Sequence, residues 1–351
     1  MSKNYDDYKP INPAPPRKRR NPALAFVQYA IIILLVASLM LSGAYFIMLH
    51  MNESGKKTPP DNPVFEDNGN DETTADTEET TKPEETPVAP PENTQKYKEI
   101  EVGKDQINKG YLILVNAEHK VVYPTADELI DFDGNKPDTY MMSTNGMKAN
   151  KIAFDPINDL FKAFSDATGK KDVMFWTAFR DEARQAKVYD DYMNGRDDPT
   201  AKAGESDHNT GLGIILRVRT NGAWRKLTDA EGYSWLVENA YKYGFIERYP
   251  ADKIDKTGLD YTQRYYIRYV GIPHAEYMKK NNLCLEEYVN ILKSFTLGAG
   301  LEFTSENGTQ YEIYYVNADV EGAVVKIPVP EDKEYSISGN NIDGFIVTVK
   351  K

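Results

Sequence analysis

One cysteine, Cys284, stands in 351 residues. No disulfide can close within the chain, and no Cys-based zinc finger can form. Cys284 lies in an apolar run, Leu283-Cys284-Leu285, where a small buried residue on a helix explains it better than a catalytic thiol. Histidine is almost as scarce: His50, His119, His208 and His274 are the full set. A catalytic zinc site ordinarily draws on two or three. A basic surplus is also missing. Lys and Arg number 42 against 54 Asp and Glu, a net charge of -12. That balance argues against nucleic acid or another anionic polymer as the main partner of the soluble part. No internal repeat is present.

The chain has one long hydrophobic run. Residues 1–22 are polar and proline-rich and end in Arg17, Lys18, Arg19 and Arg20. Residues 23–49 follow, with Ile31, Ile32, Ile33, Leu34, Leu35 and Val36, and with Gln28 as the only strongly polar side chain. About 20 apolar residues at ~1.5 Å rise cross the ~30 Å hydrocarbon layer, so this run is long enough for a transmembrane helix. It is too long for a usual signal-peptide core and lacks a clear small-x-small cleavage site after it. The basic cluster on its N-terminal flank predicts a cytoplasmic N-terminus and an extracytoplasmic remainder. Residues 50–97 carry Pro59, Pro60, Pro63, Pro83, Pro87, Pro90 and Pro91 among Thr, Glu and Asp. Such a segment buries too little apolar surface to fold, and its charges keep it extended, so it is expected to be a disordered spacer.

Beyond residue 98 the texture is globular. Tyr111-Leu112-Ile113-Leu114-Val115-Asn116 predicts a buried strand, as do 172–177 and 211–218. Helical periodicity runs over 156–168, 181–193, 231–243 and 285–295. Strands and helices alternate without a regular βαβ repeat, which predicts an α+β domain over 98–297. From 298 to 351 the pattern becomes four short strands, 311–316, 323–329, 335–338 and 345–349. The last two are separated by the turn residues Gly339-Asn340-Asn341 and Asp343-Gly344. This predicts a small all-β appendage.

Two stretches carry chemistry. One is Ser206-Asp207-His208-Asn209-Thr210-Gly211-Leu212-Gly213-Ile214-Ile215; the other is Gln263-Arg264-Tyr265-Tyr266-Ile267-Arg268-Tyr269-Val270-Gly271. Together they resemble the S-E-H-Q-T-G-L-A-V-D and E-P-W-H-x-R-Y-V-G motifs of the VanY-type D-Ala-D-Ala carboxypeptidases, within the LAS group of zinc peptidases. Trp235-Leu236-Val237-Glu238-Asn239-Ala240, then Gly244-Phe245-Ile246-Glu247-Arg248-Tyr249-Pro250, Thr257-Gly258, and Thr177-Ala178-Phe179-Arg180 with Gln185, are similar to further family segments in the same order. The resemblance spans about 100–295 and implies a central antiparallel sheet with flanking helices.

In that family the His and Asp of the first motif and the His of the second hold zinc, and the Glu three residues before the second His is the general base. Three protein ligands leave a position open for water, whose pKa the metal lowers toward ~7. The carboxylate then takes its proton. Carried over residue by residue, His208 is retained. Ile215 stands at the Asp position, Tyr266 at the His position, and Gln263 at the base position. None of these three supplies the lost function. The recognition side survives: Arg180 stands where the family holds the substrate carboxylate, and Ser206 lines the same pocket. Arg180 has a bland alternative, an ion pair with Asp181 or Glu182.

The apolar run and the resemblance together imply a membrane-anchored pseudopeptidase. It would bind D-Ala-terminated peptidoglycan stem peptides or act as a wall scaffold among cell-wall proteins, without nucleic acid and without a cofactor. The alternative is an active zinc carboxypeptidase with relocated ligands, for which His119, His274 and Asp207 are the only obvious replacements.

Overall fold

A computed structural model describes residues 96–351, which lie within one compact unit, Val88–Lys351. The expected cytoplasmic tail, transmembrane run at 23–49 and nearly all of the spacer lie outside the described residues. Among the described residues, no helix is long and apolar enough to cross a membrane.

The central sheet has the order β3 (Met141–Met142), β5 (Met174–Thr177), β6 (Gly213–Thr220), β9 (Tyr265–Tyr269) and β8 (Phe245–Glu247), with β7 (Ala223–Lys226) paired to β6, while β2 (Leu129–Asp131) and β4 (Lys148–Asn150) form a separate antiparallel pair. Pairs within the central sheet are antiparallel, as expected, except β3 with β5 at one edge, which is parallel. The β6–β7 hairpin turns on Asn221 and Gly222, both at positive φ, as a two-residue primed turn requires.

Strand alternation divides this sheet into two faces. Phe175, Ile214, Leu216, Val218, Tyr265 and Ile267 join the main core. They share that core with the apolar stripe of α1 (Lys151–Thr168), which includes Ile157, Leu160, Phe161 and Phe164. Ile215 and Tyr266 point the other way and form a separate cluster with Tyr249 and Tyr261. The functional site is built on that second face.

Local signals set the helix ends. The sequence pattern begins the first helix at Pro156, but α1 starts five residues earlier, where the Asn150 side chain accepts from the Ile152 N–H. Gly169, at φ 70°, ends it. α2 (Glu182–Met193) is capped by Asp181, which accepts from the Arg184 N–H. The helix expected from residue 231 starts late, as α3 (Ser234–Asn239), because Gly232 sits at φ 86°. α4 (Ile272–Lys280) and α5 (Leu285–Leu292) follow.

All four expected C-terminal strands appear, together with a fifth, β10 (Leu301–Thr304). β10, β11 (Gln310–Asn317), β14 (Gly344–Lys350) and β13 (Tyr335–Gly339) form an antiparallel sheet in that order. β12 (Val324–Pro330) pairs instead with β1 (Tyr97–Gly103), so the chain's first described strand belongs with its last ones. β14 is buried on both sides: Phe345, Val347 and Val349 pack with Ile327 and Val329, while Ile346 joins Val270, Met278 and Tyr288. This double coverage explains its nearly continuous apolar sequence, broken only by Thr348.

The strand expected at residues 111–116 is absent. The segment is buried and its polar backbone is satisfied, but by side chains and loops. Leu112 N–H donates to Ser338 Oγ at 2.9 Å, and Leu114 N–H to the Asn340 carbonyl at 3.0 Å. The carbonyls of Tyr111 and Ile113 accept from Arg268 Nη2 at 3.1 Å, and that of Leu114 from Asn341 Nδ2 at 2.8 Å. Hydrophobicity marks burial in such a segment but does not supply a strand partner.

Candidate functional site

The first motif folds as a short 3-10 turn, Asp207–Thr210. Ser206 caps it, its Oγ accepting from the His208 N–H at 3.3 Å, and Gly211 closes it at φ 72°. The turn presents His208, which is 2% exposed. His208 Nδ1 lies 2.8 Å from the Ala178 carbonyl, which can only accept, so the proton sits on Nδ1. Burial, then the neighbouring Arg180 cation, hold the imidazole well below its ordinary pKa, and it is neutral. Its Nε2 lone pair is left to accept.

A carbonyl on one ring nitrogen and a free lone pair on the other is how a metal-binding histidine is usually oriented. Here the lone pair faces Tyr261, whose hydroxyl lies 3.2 Å from Nε2. Arg264 Nη1 donates to that hydroxyl at 2.8 Å, so the phenol proton is directed to His208. Arg264 in turn pairs with Asp197 at 2.6 Å and Asp198 at 3.5 Å. The chain of contacts Asp197–Arg264–Tyr261–His208 is satisfied at each member.

The other two ligand positions are filled by bulk. Ile215 is fully buried and lies directly opposite Tyr266 in the β6–β9 register. The Tyr266 ring stands edge-on to His208 with centroids 4.5 Å apart, and its hydroxyl donates to Asp207 Oδ2 at 3.0 Å. Burial and Asp207 push this phenol's pKa well up, so it remains protonated. Gly213 makes room: a Cβ there would meet the Tyr266 hydroxyl at 2.5 Å. Gln263, at the base position, is exposed.

The residues present do not fit a zinc ion. Ile215 has no donor atom, Tyr266 is a neutral phenol held by Asp207, and Tyr261 takes the one imidazole lone pair. Among the described residues, no three His, Cys, Asp or Glu side chains are grouped to hold a metal. Of the possible replacements, Asp207 and His274 are committed elsewhere. Asp207 is fully buried and ion-paired to Arg268 and, at 3.5 Å, to Arg248 Nε. Arg248 also pairs with Glu286 at 2.7 Å. His274 Nδ1 meets the Tyr288 hydroxyl at 2.7 Å and its Nε2 the Thr348 hydroxyl at 3.0 Å. His119 lines a cavity of about 690 Å³ whose walls include Tyr249, Leu259, Thr200 and Ala201.

Arg180 differs from the other buried site arginines, Arg248, Arg264 and Arg268. It is 5% exposed, yet it makes no ion pair with Asp181, Glu182 or any other described carboxylate. Its Nη1 donates to Gln185 Oε1 at 3.1 Å and its Nε reaches Thr177 Oγ1 at 3.4 Å. Gln185 is itself fixed by the Ala201 carbonyl at 2.6 Å. Burial lowers the guanidinium's pKa without a counter-ion to restore it. Ser206, His208 and Arg180 are thus brought together: Arg180 N–H donates to the His208 carbonyl, and Asn209 Nδ2 donates to the Arg180 carbonyl at 2.7 Å.

Motif reading missed Tyr261, Arg264 with its partner Asp197, and the Arg248–Glu286 pair. The run of tyrosines at 261, 265 and 266 was the available signal for the first of these. Asp197 lies 67 residues from Arg264, and nothing local announces it.

Comparison with known proteins agrees with this architecture. The family model for VanY, D-alanyl-D-alanine carboxypeptidase, matches residues 147–272. A D-alanyl-D-alanine carboxypeptidase of Enterococcus faecium is 35% identical over 271 residues, covering 74% of this chain and 80% of that protein. The putative carboxypeptidase YodJ of Bacillus subtilis is 36% identical over 146 residues, 38% of this chain and 52% of its own length. Among solved structures, the vancomycin-resistance D,D-dipeptidase VanXYg, in complex with a D-Ala-D-Ala phosphinate analogue, superposes with a TM-score of 0.64 at 27% identity, covering 73% of this chain and 100% of that one. With the motifs in order, the sheet that carries them and a relative matched over most of its length, the chain belongs to the VanY family of D-alanyl-D-alanine carboxypeptidases.

Proposed function

We propose that this protein is a membrane-anchored, extracytoplasmic member of the family that has exchanged peptide cleavage for peptide binding, and that its ligand is a D-Ala-terminated peptidoglycan stem peptide. One observation carries the reading: Arg180 is buried without a carboxylate partner, beside a metal position closed by Ile215, Tyr266 and the Tyr261 hydroxyl. A buried cation without a counter-ion is costly, and a ligand carboxylate offsets that cost. Arginine suits the task because it donates as a bidentate fork. The phosphinate analogue bound by VanXYg is consistent with a site for D-Ala-D-Ala-like ends in this fold.

The charge-assisted contact is worth about 1.5–3 kcal/mol, or roughly ten- to a hundredfold in affinity. Calorimetric titration with the acid and amide forms of one D-Ala-D-Ala peptide tests it. The acid form binds more tightly, Arg180→Ala removes the difference, and Arg180→Lys restores only part of it. Equal affinity for acid and amide would show that the carboxylate is not read. The topology has its own test: protease added to intact, wall-stripped cells removes the folded domain, and protection until lysis would overturn the anchoring.

A further inference from the structure

A second arginine without a carboxylate partner stands on the face of the sheet that carries the site. Arg217 lies two residues beyond Ile215 on β6, so both side chains leave the same face. Its guanidinium lies 4.3 Å over the Trp176 ring, and Trp176 packs on the cluster of Ile215, Tyr249, Tyr261 and Tyr266 that closes the former metal position. Stacking uses the flat face of a guanidinium and leaves its N–H edge unspent. The Arg217 side chain makes no hydrogen bond and no ion pair with any described residue, although it is only partly exposed.

The groups that face it are accounted for. Arg264 repels it, and Asp197 and Asp198, which attract it at longer range, are both engaged by Arg264. Lys226, directly across the hairpin, donates to the Thr262 carbonyl in the loop that carries Tyr261. One register step further out, Arg219 stands opposite Trp224, 6.0 Å from its ring. The two tryptophans are 6.2 Å apart. In a chain of net charge -12, this face gathers cations backed by aromatic rings next to the cluster of Ile215, Tyr249, Tyr261 and Tyr266.

We propose that Arg217, braced on Trp176, is a second anion subsite beside Arg180, and that the ligand is an acidic peptide whose second carboxylate lies upstream of its C-terminal one. The proposal rests on the Arg180 reading for the terminal carboxylate. It goes further in naming a dianionic peptide and the side chains that select it. Trp176 acts as a positioning residue: it holds the guanidinium over its ring and leaves the N–H groups for the ligand.

Calorimetric titration of the full-length protein tests this with acetylated peptides ending in D-Ala-D-Ala that carry Glu one, two or three residues upstream. Each is paired with its Gln counterpart and with the C-terminal amides of both. At one spacing the Glu peptide binds about tenfold more tightly than the Gln peptide, as one charge-assisted contact requires. Arg217→Gln abolishes that preference while the acid-over-amide preference remains; Trp176→Leu weakens the Glu preference only. Equal binding of Glu and Gln peptides at every spacing overturns the subsite, as does a Glu preference that survives in Arg217→Gln. Loss of the acid-over-amide preference alone overturns the Arg180 reading and leaves the Glu comparison to stand on its own. Failure of every peptide to bind overturns both.

Discussion

Replacing Asp207 with asparagine separates a structural carboxylate from a metal ligand, because only a ligand's loss depends on zinc. Asp207 is fully buried and accepts from Tyr266, pairs with Arg268, and lies 3.5 Å from Arg248 Nε. Glu286 is the other carboxylate in the group, so two arginines are balanced by two acids. Asparagine keeps the shape but leaves a net positive charge among fully buried side chains. Removing one partner of a buried ion pair costs about 3–5 kcal/mol. For a domain of this size each kcal/mol lowers Tm by roughly 2–4 °C, so the loss is on the order of 6–20 °C. Urea unfolding of Asp207→Asn beside the parent, each with and without added zinc, reads it. The account predicts the same large loss in both conditions. A loss below about 1 kcal/mol would refute the claim that this carboxylate holds the core. A loss seen only with zinc would make Asp207 a relocated ligand.

Two further outcomes follow from the same geometry. Burial holds His274 down to about 3, and His208 is shifted in the same direction. Below about pH 6.5 the unfolded chain binds protons that these folded imidazoles refuse, so stability falls with pH by about 1.4 kcal/mol per unit per histidine, down to about pH 3 for His274. Urea unfolding free energies at pH 7 and pH 5 show the loss, His274→Gln reduces the slope by one proton, and a flat profile contradicts it. Rebuilding the metal site requires more than the motif: Ile215→Asp, Gln263→Glu and Tyr266→His must be joined by Tyr261→Phe, which frees the His208 lone pair. The quadruple variant gains a zinc-dependent rise in Tm that the triple variant lacks or shows weakly. Equal rises in both would show that the Tyr261 hydroxyl is no obstacle.

The sequence displayed the motif losses openly, because Ile215, Gln263 and Tyr266 fall at fixed distances from residues that still match. The β strands of the C-terminal segment were equally visible, since alternation and turn residues are local properties. What closes the site was not visible. Tyr261 lies outside the second motif, and its hydroxyl is held by an arginine whose carboxylates are contributed from a distant loop. Residues 111–116 were misread for a related reason: their backbone partners are the side chains of Arg268, Ser338 and Asn341, which lie more than 150 residues away in sequence. Pairing of β1 with β12 was hidden by the same separation.

Zinc content and D-Ala release, measured together on the full-length protein purified without chelator, test the central claim most directly. The account predicts zinc well below one equivalent and no release of D-Ala from a D-Ala-D-Ala peptide above a metal-free control, while the same peptide still binds. Near-stoichiometric zinc that disappears in His208→Ala, accompanied by turnover, would contradict it.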